Sequence, residues 1–512
     1  MRKSFPLAMF VLFAWVLVPG VQAAQILVPD PGNGINTIQD GVNAAVDNDE
    51  VIVAAGTYDA FSFAGKAITV RSDSGPVVTI VSGTTGNQDV LFSSAEGNGS
   101  VLRGFTIRDG GQLFGSGVRI SGASPIIEEN IIQNNGDMFT GGGIFISSGS
   151  PIIRNNTIRN NNVTRAFAGG TPNRGGGIYI TGSGAPLIVD NFILNNTQSC
   201  GVGFCIYAYG AGIFASGGSP VIIGNVLAGN RTSGAGCQYG GGVYLEGTLN
   251  AVVANNTLYN NTVTVNPLLP ECGGAGAYLA GTNSGLLFAN NIVQQNNGVG
   301  VLCGAGLGVT IETNNLFNNT VSDYEDCPSG TGDFFEDSGL VDPANGDFHL
   351  GSASPLLDVG TSGIPGMPTE DVYQGLRLTD GNGDGTAQVD LGADEFSDCV
   401  DHDGDGYGSP ANFTCAQPEL DCDDANPDVY PGAQEGPAGD PTCSDGLDNN
   451  CDGLMDAADP GCIAPPWGGA ESAEASFYGS KTVSNSNVLN NLALLLIPVG
   501  AIFFLRILRR KR

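Results

Sequence analysis

The residues best able to do chemistry lie in an acidic segment near the end of the chain. Between Asp380 and Cys462 there are 21 acidic residues and no lysine or arginine, so the segment repels itself unless cations neutralise it. Within it, oxygen-bearing residues recur at the ligand positions of a calcium-binding loop, around a glycine at Gly453. The predicted ligands are Asp448, Asn450, Asp452, the carbonyl of Leu454, Asp456 and Asp459.

A second loop in the same segment follows the same spacing over its first half. Its predicted ligands are Asp401, Asp403, Asp405 and the carbonyl of Tyr407. Acids are missing at its later positions, so we expect the next acidic turn to fold back and complete the site. The candidates in that turn are Asp421, Asp423 and Asp424.

Together these phrases resemble the metal-binding module named after MopE. The matching phrases, in that family's order, run from Asp401 to Gly408, Asp421 to Pro427, Val429 to Glu435 and Asp445 to Gly453. The resemblance implies a metal-binding module over residues 397–462. Its six cysteines favour local disulfides in an exported chain, and a module this small cannot depend on a hydrophobic core alone. We therefore expect a structural Ca²⁺.

The elements before this module repeat one phrase from about residue 100 to 320. In one copy, glycines and an apolar run at 142–146 are followed by Ser150-Pro151-Ile152-Ile153 and by an Asn-bounded run at 155–161. Each phrase is a short apolar stretch closed by turn residues, which predicts three strands per unit and an all-β, right-handed parallel β-helix. Stacked coils of such a solenoid rise by about 4.8 Å.

One column of asparagines marks the repeat. Its predicted members are Asn130, Asn156, Asn191, Asn225, Asn256, Asn291 and Asn315. We expect these residues to form a sharp corner, because Asn tolerates the left-handed conformation and stacked amides can bond to each other. The residues expected to fill the interior are Ile126, Ile152, Leu187 and Val221.

Both ends of the solenoid carry their own signatures. Residues 37–45 predict a short amphipathic helix that covers the open end of the first coil, and residues 49–58 predict a strand that ends in Gly56-Thr57-Tyr58. This entry resembles the pectate-lyase-like β-helix families of exported bacterial proteins. Phrases at 340–343, 354–360 and 389–396 resemble the closing module of surface β-helix proteins. The β-helix is thus predicted over residues 24–396.

Few residues of the solenoid are suited to catalysis. Residues 100–320 contain no histidine and no lysine, and acids are sparse. Glu129 and Asp190 share one column two coils apart, about 10 Å by strand spacing, and they are the candidate catalytic pair of an inverting glycosidase.

The sequence favours a non-enzymatic stalk that presents a glycan-binding or partner-binding surface. A calcium-stabilised module would then lie near the membrane. The alternative is a polysaccharide lyase or glycoside hydrolase that acts on an acidic glycan, so enzymatic activity stays open.

Both termini predict export to a bacterial cell surface. Residues 1–23 read as a secretory signal peptide. Residues 463–487 read as a linker, residues 488–508 as one transmembrane or sorting helix, and residues 509–512 as a basic cytoplasmic tail. The formal net charge of −32 argues against a nucleic-acid partner.

Overall fold

The computed structural model shows a parallel β-helix. It describes residues 23–83, 88–112, 117–137, 141–165, 173–200, 207–234, 236–264, 273–328, 330–397, 402–408, 415, 417, 421–456 and 459–462. Each coil places one strand in each of three parallel sheets, because each apolar phrase of the repeat forms one strand. Neighbouring coils pair in register, as Ile153 does with Ile127 and Ile188. The predicted all-β parallel solenoid is confirmed.

The three main sheets run the length of the solenoid. Sheet 1 has eleven strands: Gln25–Val28, Glu50–Val53, Thr69–Ser72, Val101–Arg103, Ile126–Glu128, Ile152–Arg154, Leu187–Val189, Val221–Ile223, Val252–Ala254, Leu286–Ala289 and Val309–Glu312. Sheet 2 has ten: Gly56–Tyr58, Thr79–Ser82, Thr106–Arg108, Ile131–Gln133, Thr157–Arg159, Phe192–Leu194, Val226–Ala228, Thr257–Tyr259, Ile292–Gln294 and Asn315–Phe317. Sheet 3 has ten: Phe61–Ser62, Val90–Phe92, Val118–Ser121, Ile144–Ser148, Ile178–Thr181, Ile213–Ser216, Val243–Glu246, Ala277–Leu279, Val299–Cys303 and Ser322–Glu325.

Two smaller sheets lie between sheets 2 and 3 in chain order. Sheet 4 comprises Gly111–Gln112, Gly136–Asp137, Asn162–Arg165, Thr197–Cys200, Arg231–Ser233 and Thr262–Val263. Sheet 5 comprises Asn173–Arg174, Tyr207–Tyr209 and Cys237–Tyr239. The repeat had predicted only three strands per coil. These additional strands are short and polar, so they lack the apolar run that marks a strand in sequence.

A short helix, Ile38–Ala44, covers the first coil as predicted. Thr37 Oγ1 accepts a hydrogen bond from the Asp40 N–H at 3.1 Å, and the Asp40 carboxylate accepts one from the Thr37 N–H at 3.0 Å. This capping box fixes the start of the helix, while Ile38 and Val42 are buried in the core of the solenoid. The described 3₁₀ helices are Pro31–Asn33, Pro441–Cys443 and Pro460–Cys462.

Two rows of asparagines, which we call the asparagine ladders, run along the solenoid. The first ladder is Asn130, Asn156, Asn191, Asn225, Asn256, Asn291 and Asn314. The second is Asn135, Asn161, Asn196, Asn230, Asn261, Asn296 and Asn319. In each step, the amide oxygen of one Asn accepts from the backbone N–H and the side-chain Nδ2 of the Asn one coil earlier, as Asn191 does from Asn156 at 3.0 Å each.

The predicted role of this column needs two corrections. The last member is Asn314 rather than Asn315, whose side chain instead bonds the backbone of Glu336. In addition, the left-handed residue is the one before each ladder Asn, with φ of 54° at Asn155 and 54° at Asn290. Two neighbouring residues therefore have different roles at each corner. The left-handed residue turns the chain, and the next Asn joins adjacent coils by hydrogen bonds.

The interior of the solenoid is lined by residues one position later than predicted. Ile127, Ile153, Ile188 and Ile222 are fully buried in the core. The predicted positions Ile126, Ile152, Leu187 and Val221 are half-buried instead. Because side chains alternate along a strand, a shift of one residue moves the whole set to the other face of the sheet.

Aromatic rings form a row on the outer face of sheet 3. The row is Phe145, Tyr179, Phe214, Tyr244 and Tyr278, with ring centroids 5.0 to 5.2 Å apart. Sheet 5 packs against it, with the Tyr209 ring 4.8 Å from that of Tyr244. Sheet 5 is thus held by ring contacts.

A closing segment, residues 334–396, folds back along the outside of the coils. It begins with an antiparallel hairpin, Leu340–Asp342 and Asp347–Leu350. Ile364 packs against Val189 and Ile223 of sheet 1, and Phe348 and Val372 pack against Val226 of sheet 2. The outer faces of these coils are therefore apolar as well.

Hydrogen bonds fasten the closing segment to the corner between sheets 1 and 2. Asn255 Nδ2 donates to the Asp390 carbonyl at 3.0 Å, and Asn290 exchanges two bonds with the backbone of Thr361. The N–H of Ala393 donates to Thr257 Oγ1 at 3.1 Å. The closing segment is therefore a lateral strap over the later coils.

Buried carboxylates hold the closing segment together. The Asp390 carboxylate accepts from the N–H groups of Asp358 and Phe396 at 2.6 and 2.7 Å, and the Glu395 carboxylate accepts from those of Thr379 and Asp390. Burial raises the pKa of both Asp390 and Glu395. Each of these acids thereby satisfies backbone donors that would otherwise be buried without a partner.

Disulfides occur in the coils and in the acidic segment. Cys303 is joined to Cys327, Cys422 to Cys451 and Cys443 to Cys462. By its contacts the chain divides into two compact units, residues 1–433 with 449–452 and residues 434–448 with 453–512. No helix within the described residues has the length and apolar character needed to cross a bilayer. The predicted signal peptide, apart from Ala23, and the predicted helix at 488–508 lie outside the described residues.

Candidate metal centre

Tight turns closed by aspartate side chains build the first part of the acidic segment. The Oδ1 atoms of Asp403 and Asp405 accept from the N–H groups two residues later, at 3.2 and 2.9 Å. Asp421 Oδ1 accepts from the Asp423 N–H at 2.9 Å in the same way. Each turn uses one carboxylate oxygen and leaves the other, Oδ2, for a different partner.

The three carboxylates converge. One carboxylate oxygen from each of Asp403, Asp405 and Asp421 lies within 4.8 Å of the other two. Within the described part of the chain, the Oδ2 atom of each residue is buried and has no hydrogen-bond partner. Three carboxylates that lie this close together, each with one buried oxygen, repel one another unless a cation lies between them. The donor set therefore fits a metal ion.

The chemistry of the donors indicates a hard cation. Carboxylate oxygens are the ligands that Ca²⁺ and Mg²⁺ prefer. Asp421 also lies within 4.8 Å of the sulfurs of Cys422 and Cys451, but these are joined in a disulfide and cannot act as thiolates. Burial raises the pKa of Asp421, and the Asp405 and Asp403 carboxylates raise it further.

The structure places the other predicted ligands of this loop as follows. Asp401 lies outside the described residues. Asp424 bonds His402, accepting from its backbone N–H at 2.8 Å and contacting its ring Nδ1 at 2.6 Å. Of the three candidates in the following turn, the structure brings Asp421 rather than Asp423 or Asp424 next to Asp403 and Asp405. Tyr407 stacks on Tyr430, with ring centroids 5.3 Å apart.

The residues of the loop from Asp448 to Asp459 are divided between the two compact units. In one unit, Asp448 Oδ2 accepts from the Gly453 N–H at 2.8 Å, and Asp456 Oδ1 accepts from the Gly446 N–H at 3.1 Å. In the other unit, Asn450 Oδ1 accepts from the Asp452 N–H at 3.0 Å. Asp459 is buried, and Leu454 is exposed. A cation site formed by this loop stays a prediction.

The solenoid offers a separate concave surface, a groove of about 620 Å³ at the corner between sheets 1 and 2. Arg71, Arg103 and Glu129 line it, together with Asn155. Arg71 Nε lies 2.5 Å from Glu50 Oε1, and Arg103 Nε lies 2.8 Å from Glu129 Oε2. No motif of the sequence marks these arginines. The signal that could have found them is that Arg71 and Arg103 occupy the same position of successive coils.

Glu129 and Asp190, the candidate catalytic pair, lie at the same corner on different coils, but their environments differ. Glu129 and Asp190 both adopt left-handed conformations, with φ of 56° and 51°. Glu129 opens onto the groove, whereas Asp190 is buried with its Oδ1 3.7 Å from Arg377 Nη2. Burial raises the pKa of Asp190 to about 8. The described residues therefore do not present the two carboxylates on one open surface.

Family models match two parts of the chain. Two overlapping matches to a family described as "Right handed beta helix region" cover residues 33–193 and 157–317, together more than half of the chain. Residues 421–457 match a family described as "Putative metal-binding motif" of the MopE type. No curated protein matches the chain.

Three solved structures are distantly similar to the chain, each at 14% sequence identity. For a protein of Geobacillus virus E2, the match covers 58% of this chain and 57% of the viral chain, with a TM-score of 0.30. For a mannuronic acid specific polysaccharide family 6 lyase from the human gut microbiota, the match covers 61% of this chain and 81% of the lyase, with a TM-score of 0.32. For pectate lyase Pel9A, the match covers 74% of this chain and 98% of the lyase, with a TM-score of 0.34. The chain thus spans little more than half of the viral protein.

Proposed function

The chain belongs to the right-handed β-helix family, and from that premise we propose that it is an exported β-helix protein whose acidic segment binds a divalent cation. The observation that carries the proposal is the convergence of Asp403, Asp405 and Asp421, each with a buried carboxylate oxygen that has no partner in the described chain. The expected ion is calcium, because all the donors are oxygens.

Titration of the full-length protein tests the cation site. After treatment with a chelator and its removal, Ca²⁺ should bind by calorimetry and raise the unfolding temperature, with about 2.7 kcal/mol of stabilisation at 100 times the dissociation constant. Asp421→Asn should abolish this gain, because it removes one of three converging charges. Asp428→Asn, which changes an exposed acid of the same segment, should leave it unchanged.

Two outcomes would contradict this prediction. Calcium that binds equally well to the Asp421→Asn protein would place the ion elsewhere. Tight Cu²⁺ binding with no response to Ca²⁺ or Mg²⁺ would show that the donors are not the carboxylates alone.

We propose in addition that the protein is exported to the cell surface. The apolar stretch at 7–18, the apolar run at 492–505 and the basic end Arg509-Arg510-Lys511-Arg512 support export with a single C-terminal membrane-spanning or sorting helix. The coils and the cation site would then lie outside the cell, where millimolar calcium is ordinary and disulfides persist.

A second candidate function is action on an acidic glycan, supported by the groove. Arg71 and Arg103 offer guanidinium groups that match uronate carboxylates, and Glu129 adds a partly exposed acid. Such a surface fits the enzymatic alternative, a polysaccharide lyase or glycoside hydrolase, better than it fits a bare stalk.

Binding and turnover of polyuronates test this candidate with the full-length protein. We expect a polyuronate to bind and Arg103→Gln to weaken binding about tenfold, through loss of one charge-assisted hydrogen bond. Arg159→Gln changes an arginine that bonds Gln133 and does not line the groove, so it is the control. If the unmodified protein releases products from a polyuronate and Glu129→Gln does not, the protein is an enzyme. If it binds the polyuronate without releasing products, the groove is a non-enzymatic binding surface. No polyuronate binding at all would eliminate the candidate.

A further inference from the structure

A second concave surface, which we call the amide pocket, lies where the closing segment crosses sheet 2. It has a volume of about 490 Å³, within the usual range for small-molecule sites. The turn of the closing hairpin, residues 343–346, forms one wall, and the corner that follows sheet 2 forms the other. Among the described residues that line it, none is Asp, Glu, Lys, Arg or His. The site is therefore polar but uncharged.

Side-chain amides supply its polarity. Asn195, Asn260 and Gln295 all adopt the left-handed conformation, with φ of 53°, 50° and 54°, and lie in one row of corners along the coils. Gly229 occupies the same row between Asn195 and Asn260, and a Cβ there would lie 2.3 Å from Asn195 Oδ1. The absence of a side chain at Gly229 thus makes room for the Asn195 amide.

The orientation of one amide is fixed. The Tyr259 hydroxyl donates to Gln295 Oε1 at 2.8 Å, and this bond does not use the Gln295 Nε2 group. The Tyr259 and Phe348 rings meet edge to face, with centroids 5.8 Å apart, and form an apolar floor. A positioned donor beside an apolar floor is what a ligand with both hydroxyl groups and C–H faces requires.

We propose that the amide pocket binds a neutral saccharide, one or two sugar units in size. Amides both donate and accept hydrogen bonds, so they match sugar hydroxyls, whereas carboxylates or phosphates would call for cations. Burial raises the pKa of Tyr259, and the nearby carboxylates of Asp337 and Asp342 raise it further, so the local charge disfavours an anionic ligand. Its residues are distinct from those of the arginine-lined groove, so this site does not depend on the functions proposed above.

Glycine substitutions at the corners test the assignment. Neutral gluco-, galacto-, manno- and xylo-configured di- and trisaccharides are titrated into the full-length protein, with binding followed by calorimetry and by ligand-observed NMR. We expect at least one series to bind and Asn260→Gly and Gln295→Gly each to weaken it about tenfold, through loss of hydrogen bonds. Glycine suits a left-handed corner, as Gly229 shows, so these variants should fold.

Asn160→Gly is the matched control. Asn160 occupies the same row of left-handed corners, with φ of 54°, but does not line the pocket. It should therefore leave binding unchanged. Tyr259→Phe should weaken binding as well, because the Gln295 amide is then free to turn. Failure of every neutral saccharide to bind would overturn the proposal, and so would binding that survives in both Asn260→Gly and Gln295→Gly or that falls equally in Asn160→Gly.

Discussion

Asn161→Ala should lower the free energy of unfolding by about 3 kcal/mol or more, because it leaves several buried groups without partners. Asn161 is fully buried in the second asparagine ladder. Its amide oxygen accepts from the N–H and Nδ2 of Asn135, and its Nδ2 donates to the Ile132 carbonyl at 2.9 Å and to Asn196 Oδ1 at 3.0 Å. Removing one amide thus affects groups on both neighbouring coils.

The residue before it provides the comparison. Asn160 is exposed and left-handed, so Asn160→Gly keeps the corner and should change stability by less than about 1 kcal/mol. Chemical denaturation of the two variants measures the difference. Equal, small effects for both would mean that the ladder contributes little and that apolar packing alone fastens the coils.

Arg377→Met should lower the free energy of unfolding by about 3 kcal/mol, from two carbonyls left without a donor. Arg377 is 2% exposed, although both of its neighbours, Leu376 and Leu378, are more than half exposed. Its guanidinium donates to the carbonyls of Gly392 and Ala393 at 3.3 and 2.7 Å. Methionine keeps most of the side-chain volume, so the loss reports these hydrogen bonds and the charge beside Asp190 rather than a cavity.

Arg154→Met is the control for Arg377→Met. Arg154 Nη2 pairs with Glu128 Oε2 at 2.6 Å, but the Arg154 side chain is 49% exposed, so water reaches the pair and we expect a loss of about 1 kcal/mol. Limited proteolysis gives a second readout, because Arg377→Met should expose the closing segment before the coils unfold. Comparable losses in the two variants would contradict the assigned role of Arg377.

Sequence periodicity was sufficient for the solenoid, since each coil repeats the same apolar phrases and the same Asn. It did not predict which residues of the sheet 1 strands point into the core. Strands such as Ile126–Glu128 and Ile152–Arg154 carry two adjacent isoleucines, so alternation does not say which one points inward. Outer positions of later coils are apolar because Ile364 and Met367 of the closing segment cover Leu187 and Val221. That contact joins residues about 140 to 180 positions apart, and no local pattern encodes it.

The candidate cation site was predictable in kind but not in its membership. The Asp-x-Asp spacing at Asp403 and Asp405 identified two of the converging acids. The third required a choice among Asp421, Asp423 and Asp424, which lie within one turn. Only the path of the chain decides it, because Asp424 is engaged by His402 and Asp421 is the buried one.

The course of the closing segment also restricts the number of coils in the later part of the solenoid. Its fastening points, from Asp190 through Asn255 and Thr257 to Asn290, are spread over successive coils. Inserting one coil among them would carry the later points away by about 4.8 Å, beyond hydrogen-bond reach. The coils between Asn130 and Asp190 are joined by the ladders, which accept any coil that brings its own two asparagines. Evolution and design are therefore free to lengthen this part of the solenoid, while the later coils keep their number.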